Sequence, residues 1–214
     1  LLEDLDTEES IPILREIALK DKDQDLRRYA VILLGEIESS DSLDILIEVL
    51  RENENMRVRR SALEAIEDRD DPRALGVLAE TIISAEEELA LLAFYVLEDL
   101  LDDDNFSLLI DIYKKTKFDS VKKNLLHELE DMVEDKKAAV PGLVEILNKE
   151  TNPDLKRYII RALGSKESNA AVPALLDAAL NDRNNRITRE AVIALEEIDT
   201  RDAREAIRKI QERR

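Results

Sequence analysis

Apolar positions along this chain do not alternate in twos; they return in short stripes at helical spacing. Six segments carry the same stripe: LRRYAVILLGEI from Leu26, VRRSALEAIEDR from Val58, LALLAFYVLEDL from Leu89, VKKNLLHELEDM from Val121, LKRYIIRALGSK from Leu155 and ITREAVIALEEI from Ile187. Their starts lie 32, 31, 32, 34 and 32 residues apart. With the first residue of each counted as position 1, positions 1, 5, 6 and 9 are apolar in all six and position 8 in five, Glu128 being the exception. That spacing predicts a helix with a broad buried face. Position 5 is Ala30, Ala62, Ala93 and Ala191 in four copies, which lets neighbouring helices approach closely. Leu33, Leu97 and Leu163 lie in the stripe and are expected in the core.

A second segment recurs between these, starting at Ile11, Leu43, Ala74, Phe106, Val140, Val172 and Ala203. Its clearest forms are VPGLVEIL and VPALLDAAL. Pro12, Pro141 and Pro173 share one early slot, where a helix tolerates proline because that N–H has no intrahelical partner. Each unit is therefore a pair of helices, and a pair that cannot bury its apolar face alone must stack on the next. The fold class is all-α, an α-solenoid of about six and a half hairpins, with units near 11–37, 43–69, 74–100, 106–132, 140–166 and 172–198 and a terminal helix over 203–214. The chain reads as one domain over residues 1–214. Leu2-Glu3-Asp4-Leu5 aligns with Leu97-Glu98-Asp99-Leu100, the tail of a second helix, so a piece of a longer solenoid is expected.

Composition narrows the function classes. Aromatic residues make up 3% of the chain and glycine occurs four times, which argues against a sandwich, a barrel or a nucleotide-binding sheet with glycine turns. No run approaches the roughly 18 apolar residues of a membrane span, so a soluble, cytoplasmic protein without membrane insertion is expected. The absence of cysteine excludes disulfides, thiolate nucleophiles and zinc–thiolate sites. Thirty-two basic against fifty acidic residues give a formal charge of −18, which repels a phosphate backbone. Nucleic acid is not an expected partner; a basic protein surface is.

The second segments resemble the HEAT-like repeats of phycobilisome lyases, whose second helix reads V-R-x-x-A-x-x-A-L-G-x-I. Leu26 to Ile37 matches closely, Leu155 to Gly164 nearly so, and the likeness covers nearly the whole chain. The third copy departs from it, with Ala90 at the usual arginine. The resemblance implies that second helices line a concave face, where positions 4, 7 and 11 flank the buried stripe. Position 4 carries Tyr29, Ser61, Leu92, Asn124, Tyr158 and Glu190, and position 7 carries Ile32, Glu64, Tyr95, His127, Arg161 and Ile193. Position 11 carries Glu36, Asp68, Asp99, Asp131, Ser165 and Glu197. The expected partner-binding residues are thus Tyr29, Ile32, Glu36, Glu64, Asp68, Leu92, Tyr95, Asp99, Asn124, His127, Asp131, Tyr158 and Arg161, an aromatic and aliphatic floor with an acidic margin.

Catalytic chemistry finds little support. His127-Glu128 is similar to the His-Glu pairs by which HEAT-repeat di-iron hydroxylases hold their metals, but a single histidine cannot assemble such a site. No metal and no cofactor are expected. Acid–base catalysis needs a pocket that drives two pKa values apart, and no pattern here marks one. The run Asp102 to Asn105 lacks the ligand spacing of a calcium loop and reads as a turn whose Asp or Asn caps the next helix. HEAT-like DNA glycosylases pair aromatic residues with a basic groove, whereas these rows are acidic. The expected function is a non-enzymatic scaffold or regulatory module whose concave face holds a protein or peptide with a basic segment. The alternative that the resemblance implies is a bilin lyase-like or chaperone-like subunit holding a tetrapyrrole or its apoprotein.

Overall fold

The computed structural model describes residues 8–67, 69, 71–102, 105–132, 139–165 and 168–213, with the side chains of Asp131, Met132 and Ala139 left out. The segment Leu2 to Leu5, Asp68, Asp103 and Asp104 therefore lie outside the described residues. Among those described, thirteen α-helices follow one another without a strand: α1 (Ile11–Lys20), α2 (Gln24–Glu36), α3 (Ser40–Glu52), α4 (Met56–Glu67), α5 (Arg73–Ser84), α6 (Glu87–Asp99), α7 (Phe106–Lys115), α8 (Asp119–Met132), α9 (Ala139–Lys149), α10 (Pro153–Gly164), α11 (Val172–Asn181), α12 (Asn185–Ile198) and α13 (Arg201–Glu212). None of them is long and apolar enough to cross a membrane.

The chain forms two compact units, residues 1–101 and 102–214. In the first, α2 packs on α1 and α4, α4 on α3 and α6, and α5 on α6. In the second, α8 packs on α7 and α10, α10 on α9 and α12, α12 on α11, and α13 closes against α11 and α12. Each unit is thus a stack of helical hairpins in which the second helices form one layer and the first helices another, the arrangement of an α-solenoid.

The buried stripe explains the layers. At position 9, Leu34, Ile66, Leu97, Leu129, Leu163 and Leu195 are all fully buried, and position 5 is buried in every copy. Position 1 departs from the expectation once. Leu26 is 43% exposed while its five counterparts are buried.

Second helices begin about two residues ahead of the apolar stripe because their N-termini are built by side-chain oxygens. In the first hairpin the Asp23 N–H donates to Asp21 Oδ1 (2.8 Å) and the Asp25 N–H to Asp23 Oδ1 (2.8 Å). Asn53 and Asn55 repeat this relay (2.9 and 2.9 Å), as do Glu150 with Asn152 (2.8 and 2.9 Å) and Asp182 with Asn184 (2.8 and 2.9 Å). Each relay satisfies backbone N–H groups that a helix start leaves without partners. The cation at position 2 then ties a second helix to the following turn, Arg59 donating to Glu86 (2.8 Å) and Lys156 to Asp182 (2.8 Å), while Arg59 also donates back to the Leu50 carbonyl near the end of α3 (2.8 Å). In the third copy position 2 is Ala90, so that copy carries no cation there. Asn105 holds the N-cap position of α7 but makes no side-chain cap bond. Its amide donates instead to the Asp102 carbonyl and carboxylate, which corrects the expected cap.

Tyr113, at the end of α7, is the buried one of the four tyrosines. Its hydroxyl donates to Glu150 Oε2 (2.6 Å) and Lys122 Nζ lies 5.4 Å over its ring. Burial and the neighbouring carboxylate push the phenol well above its ordinary range. Burial alone would raise Glu150, but the Tyr113 hydroxyl and the Asn152 and Thr151 N–H groups outweigh it and hold the carboxyl below its usual 4.5.

Two predictions follow from these cores. Leu97→Ala or Leu163→Ala will destabilise its unit by about 2–5 kcal/mol, and Leu26→Ala by about 0.5 kcal/mol or less, read by thermal melting; an equal response at all three sites contradicts the register. Because Glu150 is held below its unfolded pKa, its contribution is full above pH 4.5 and fades as pH falls through the folded value. Tyr113→Phe will therefore lower stability by about 1–2 kcal/mol at neutral pH, and the gap to the parent protein will narrow as pH falls below 4.5. A gap independent of pH would show that the hydroxyl does not act through Glu150.

Candidate functional site

The 3.6-residue period places position 7 on the crest of each second helix, opposite the stripe that meets the first-helix layer. All six position-7 residues are exposed: Ile32, Glu64, Tyr95, His127, Arg161 and Ile193. Position 4 lies lower on the flank. Leu92, Asn124, Tyr158 and Glu190 are half-buried, Ser61 is buried, and Tyr29, on the first second-helix described, is 39% exposed. At position 11, Glu36, Asp99, Ser165 and Glu197 are exposed, while Asp68 and the Asp131 side chain lie outside the described residues. In the first unit the solvent face of the second helices therefore brings together Tyr29, Ile32, Glu36, Glu64, Leu92, Tyr95 and Asp99. In the second unit the same face carries Asn124, His127, Tyr158 and Arg161.

The aromatic positions differ in how they are held. Tyr95 is 54% exposed, with its ring edge-on to the buried Phe94 at 6.1 Å and 70°. Tyr158 is half-buried, with Lys123 Nζ 5.6 Å over its ring.

Glycine at position 10 shapes the surface between neighbouring second helices. A Cβ added to Gly35 would lie 2.8 Å from the Ala65 Cβ, and one added to Gly164 would lie 2.9 Å from the Ala194 Cβ. Ala65 and Ala194 both stand at position 8 of the following second helix. Each glycine thus lets two helices close on an alanine and leaves an open notch above the contact. The α2–α4 notch has a volume of about 750 Å³ and is lined by Ile32, Gly35, Glu36, Ser61, Glu64 and Arg69 among others. Its counterpart between α10 and α12 measures about 380 Å³ and includes Arg161, Glu190, Ile193 and Glu197. There the Arg161 guanidinium is hydrogen-bonded to Glu190, and Arg157 Nε lies 3.5 Å from the same carboxylate. The bond to Glu190 holds Arg161 above its ordinary pKa. The sequence places Ser61 and Glu190 in the position-4 row but not among the expected binding residues, and it gives Gly35 and Gly164 no role in a site; the glycine of the repeat pattern was the available signal.

Arg69 lines the α2–α4 notch but is committed elsewhere. It donates to the carbonyls of Leu34 (2.6 Å), Ile37 (2.6 Å) and Ser39 (3.1 Å) and to the Ser42 hydroxyl (2.8 Å), satisfying the C-terminal carbonyls of α2. Its burial lowers its pKa. Charge is unevenly divided along the chain. Residues 1–101 contain 27 acidic and 11 basic side chains, a balance of −16, whereas residues 102–214 contain 23 and 21, a balance of −2. Among the described residues no group of three or more metal-ligating side chains converges.

Solved structures similar to this chain include human deoxyhypusine hydroxylase in complex with glycerol, at 17% identity, covering 95% of this chain and 88% of that one with a TM-score of 0.41. The complex of CpcE and CpcF of phycocyanin lyase from Nostoc sp. PCC7120 is 18% identical, covering 95% of this chain and 82% of that one with a TM-score of 0.37. A comparison with curated proteins finds no match. The family of HEAT repeats matches residues 11–98 and 140–213, most of the chain and eleven of the thirteen helices in whole or in part. The chain belongs to the HEAT-repeat family.

Proposed function

We propose that the chain is a protein-binding scaffold whose contact surface is the solvent face of its second helices, centred on the first unit. The observation that carries this reading is Tyr95, exposed over half its surface in the middle of α6 while its neighbours Phe94 and Val96 are buried. A helix that places a tyrosine on its crest offers a large contact area with little rotamer freedom left to lose, the property that makes tyrosine frequent at interface anchors. Tyr29 and Ile32 on α2 add exposed apolar surface to the same layer. Glu36, Glu64 and Asp99 surround these residues with negative charge, which favours a basic partner by steering and selectivity. The HEAT repeats themselves support a binding role, since such hairpin stacks present extended surfaces.

Affinity capture from a native lysate tests the proposal, with the parent protein compared against Tyr29→Ala/Tyr95→Ala. Both substitutions are on the surface, so the variant is expected to melt within a few degrees of the parent. The expected outcome is loss of a specific protein from the variant, followed by direct binding of the purified pair with affinity reduced at least about tenfold. Identical capture by the two proteins would remove the second-helix face from consideration.

A further inference from the structure

We infer that the notch between α2 and α4 is a receptor for one arginine side chain of the basic partner segment, an inference that rests on the scaffold reading above. The chain itself supplies the template. In the equivalent notch between α10 and α12, a guanidinium from position 7, Arg161, bonds a carboxylate at position 4 of the next helix, Glu190. In the α2–α4 notch those positions are Ile32 and Ser61, so the internal cation is missing and the cleft has about twice the volume, 750 against 380 Å³. Two carboxylates beside it, Glu36 and Glu64, are exposed and make no ion pair or hydrogen bond among the described residues. The cation that lines it, Arg69, is already bound to the end of α2.

Ser61 is an independent indication. It is 6% exposed, lines the notch, and its hydroxyl makes no hydrogen bond among the described residues. The hydroxyl oxygen is not sealed off from the notch, and a guanidinium with five N–H donors can donate to it while pairing with the flanking carboxylates. The apolar wall of Ile32 suits the methylene stem of the incoming side chain. Arginine fits better than lysine because its planar fork serves several acceptors at once, whereas an ammonium is a compact and more strongly hydrated charge.

The test titrates the whole chain with a nona-arginine peptide at near-physiological salt, following backbone amide shifts by NMR, with the corresponding citrulline peptide as the uncharged control. The arginine peptide is expected to shift amides around Ile32, Gly35, Glu36, Ser61 and Glu64 first, and the citrulline peptide to leave them unmoved. The decisive variant is Ile32→Arg/Ser61→Glu, which transplants the Arg161–Glu190 pair into this notch without changing the net charge. It is expected to weaken peptide binding about tenfold or more with no loss of thermal stability. Glu36→Gln/Glu64→Gln serves as a second variant if the transplant folds poorly and is expected to act in the same direction, while Glu16→Gln/Glu52→Gln, on the first helices, changes affinity less than about twofold at this salt. Equal weakening by the notch and first-helix variants, or shifts spread over every acidic segment, would reduce the interaction to general electrostatics and overturn the proposal. So would unchanged binding to a well-folded transplant. None of these results bears on Tyr29 and Tyr95, so the scaffold reading stands or falls separately on the capture experiment.

Discussion

Close approach between successive second helices is the constraint on which both the interior and the surface of each unit depend. Alanine at position 5, alanine at position 8 and glycine at position 10 remove side-chain volume where two helices meet, so that a Cβ on Gly35 or Gly164 would collide with the next helix. Short separation lets the position-9 leucines and isoleucine bury fully beneath, and close-packed interiors tolerate little change of volume. The same missing volume opens the notches above. A core requirement and a binding cleft thus arise from one small residue, and the choice of flanking side chains decides whether the cleft is filled from within, as by Arg161, or left open, as beside Ile32.

The turns divide a different labour. Acid and amide oxygens start the second helices, and a cation at position 2 reaches forward to the next turn, so that each hairpin is registered against its successor by polar contacts as well as by apolar burial. Surface ion pairs on their own contribute little. Here they sit beside helix ends whose backbone groups need partners, and Arg59 serves both a carboxylate and the Leu50 carbonyl at once.

Much of this was legible in the sequence because a helix repeats its burial every few residues and the chain repeats its hairpin every thirty-odd. Helix identities, their order and the position-9 core follow from periodicity alone. The helix starts did not, since a start fixed by Asp23 or Asn152 precedes the first apolar residue that periodicity can register. Leu26 shares its pattern with five buried counterparts and is nonetheless 43% exposed, because apolar spacing registers the face of a helix and not what packs on it. At the surface, the exposure of position 7 and the half-burial of position 4, Tyr158 included, follow from where each lies on the helix. The formal charge of −18 was read as a property of the whole chain, and its concentration in residues 1–101 emerged only once the structure supplied a boundary to count against.

The oxygen relays at the turns separate geometry from charge. Capping requires a side-chain acceptor at a set place and is indifferent to whether that acceptor is ionised: Asp23 does in one hairpin what Asn55, Asn152 and Asn184 do in others. An exchange between aspartate and asparagine at these sites leaves the helix start where it was while altering the local potential by a full unit. The turns are therefore places where the electrical character of a repeat can drift, in natural variants or by design, with the backbone held still.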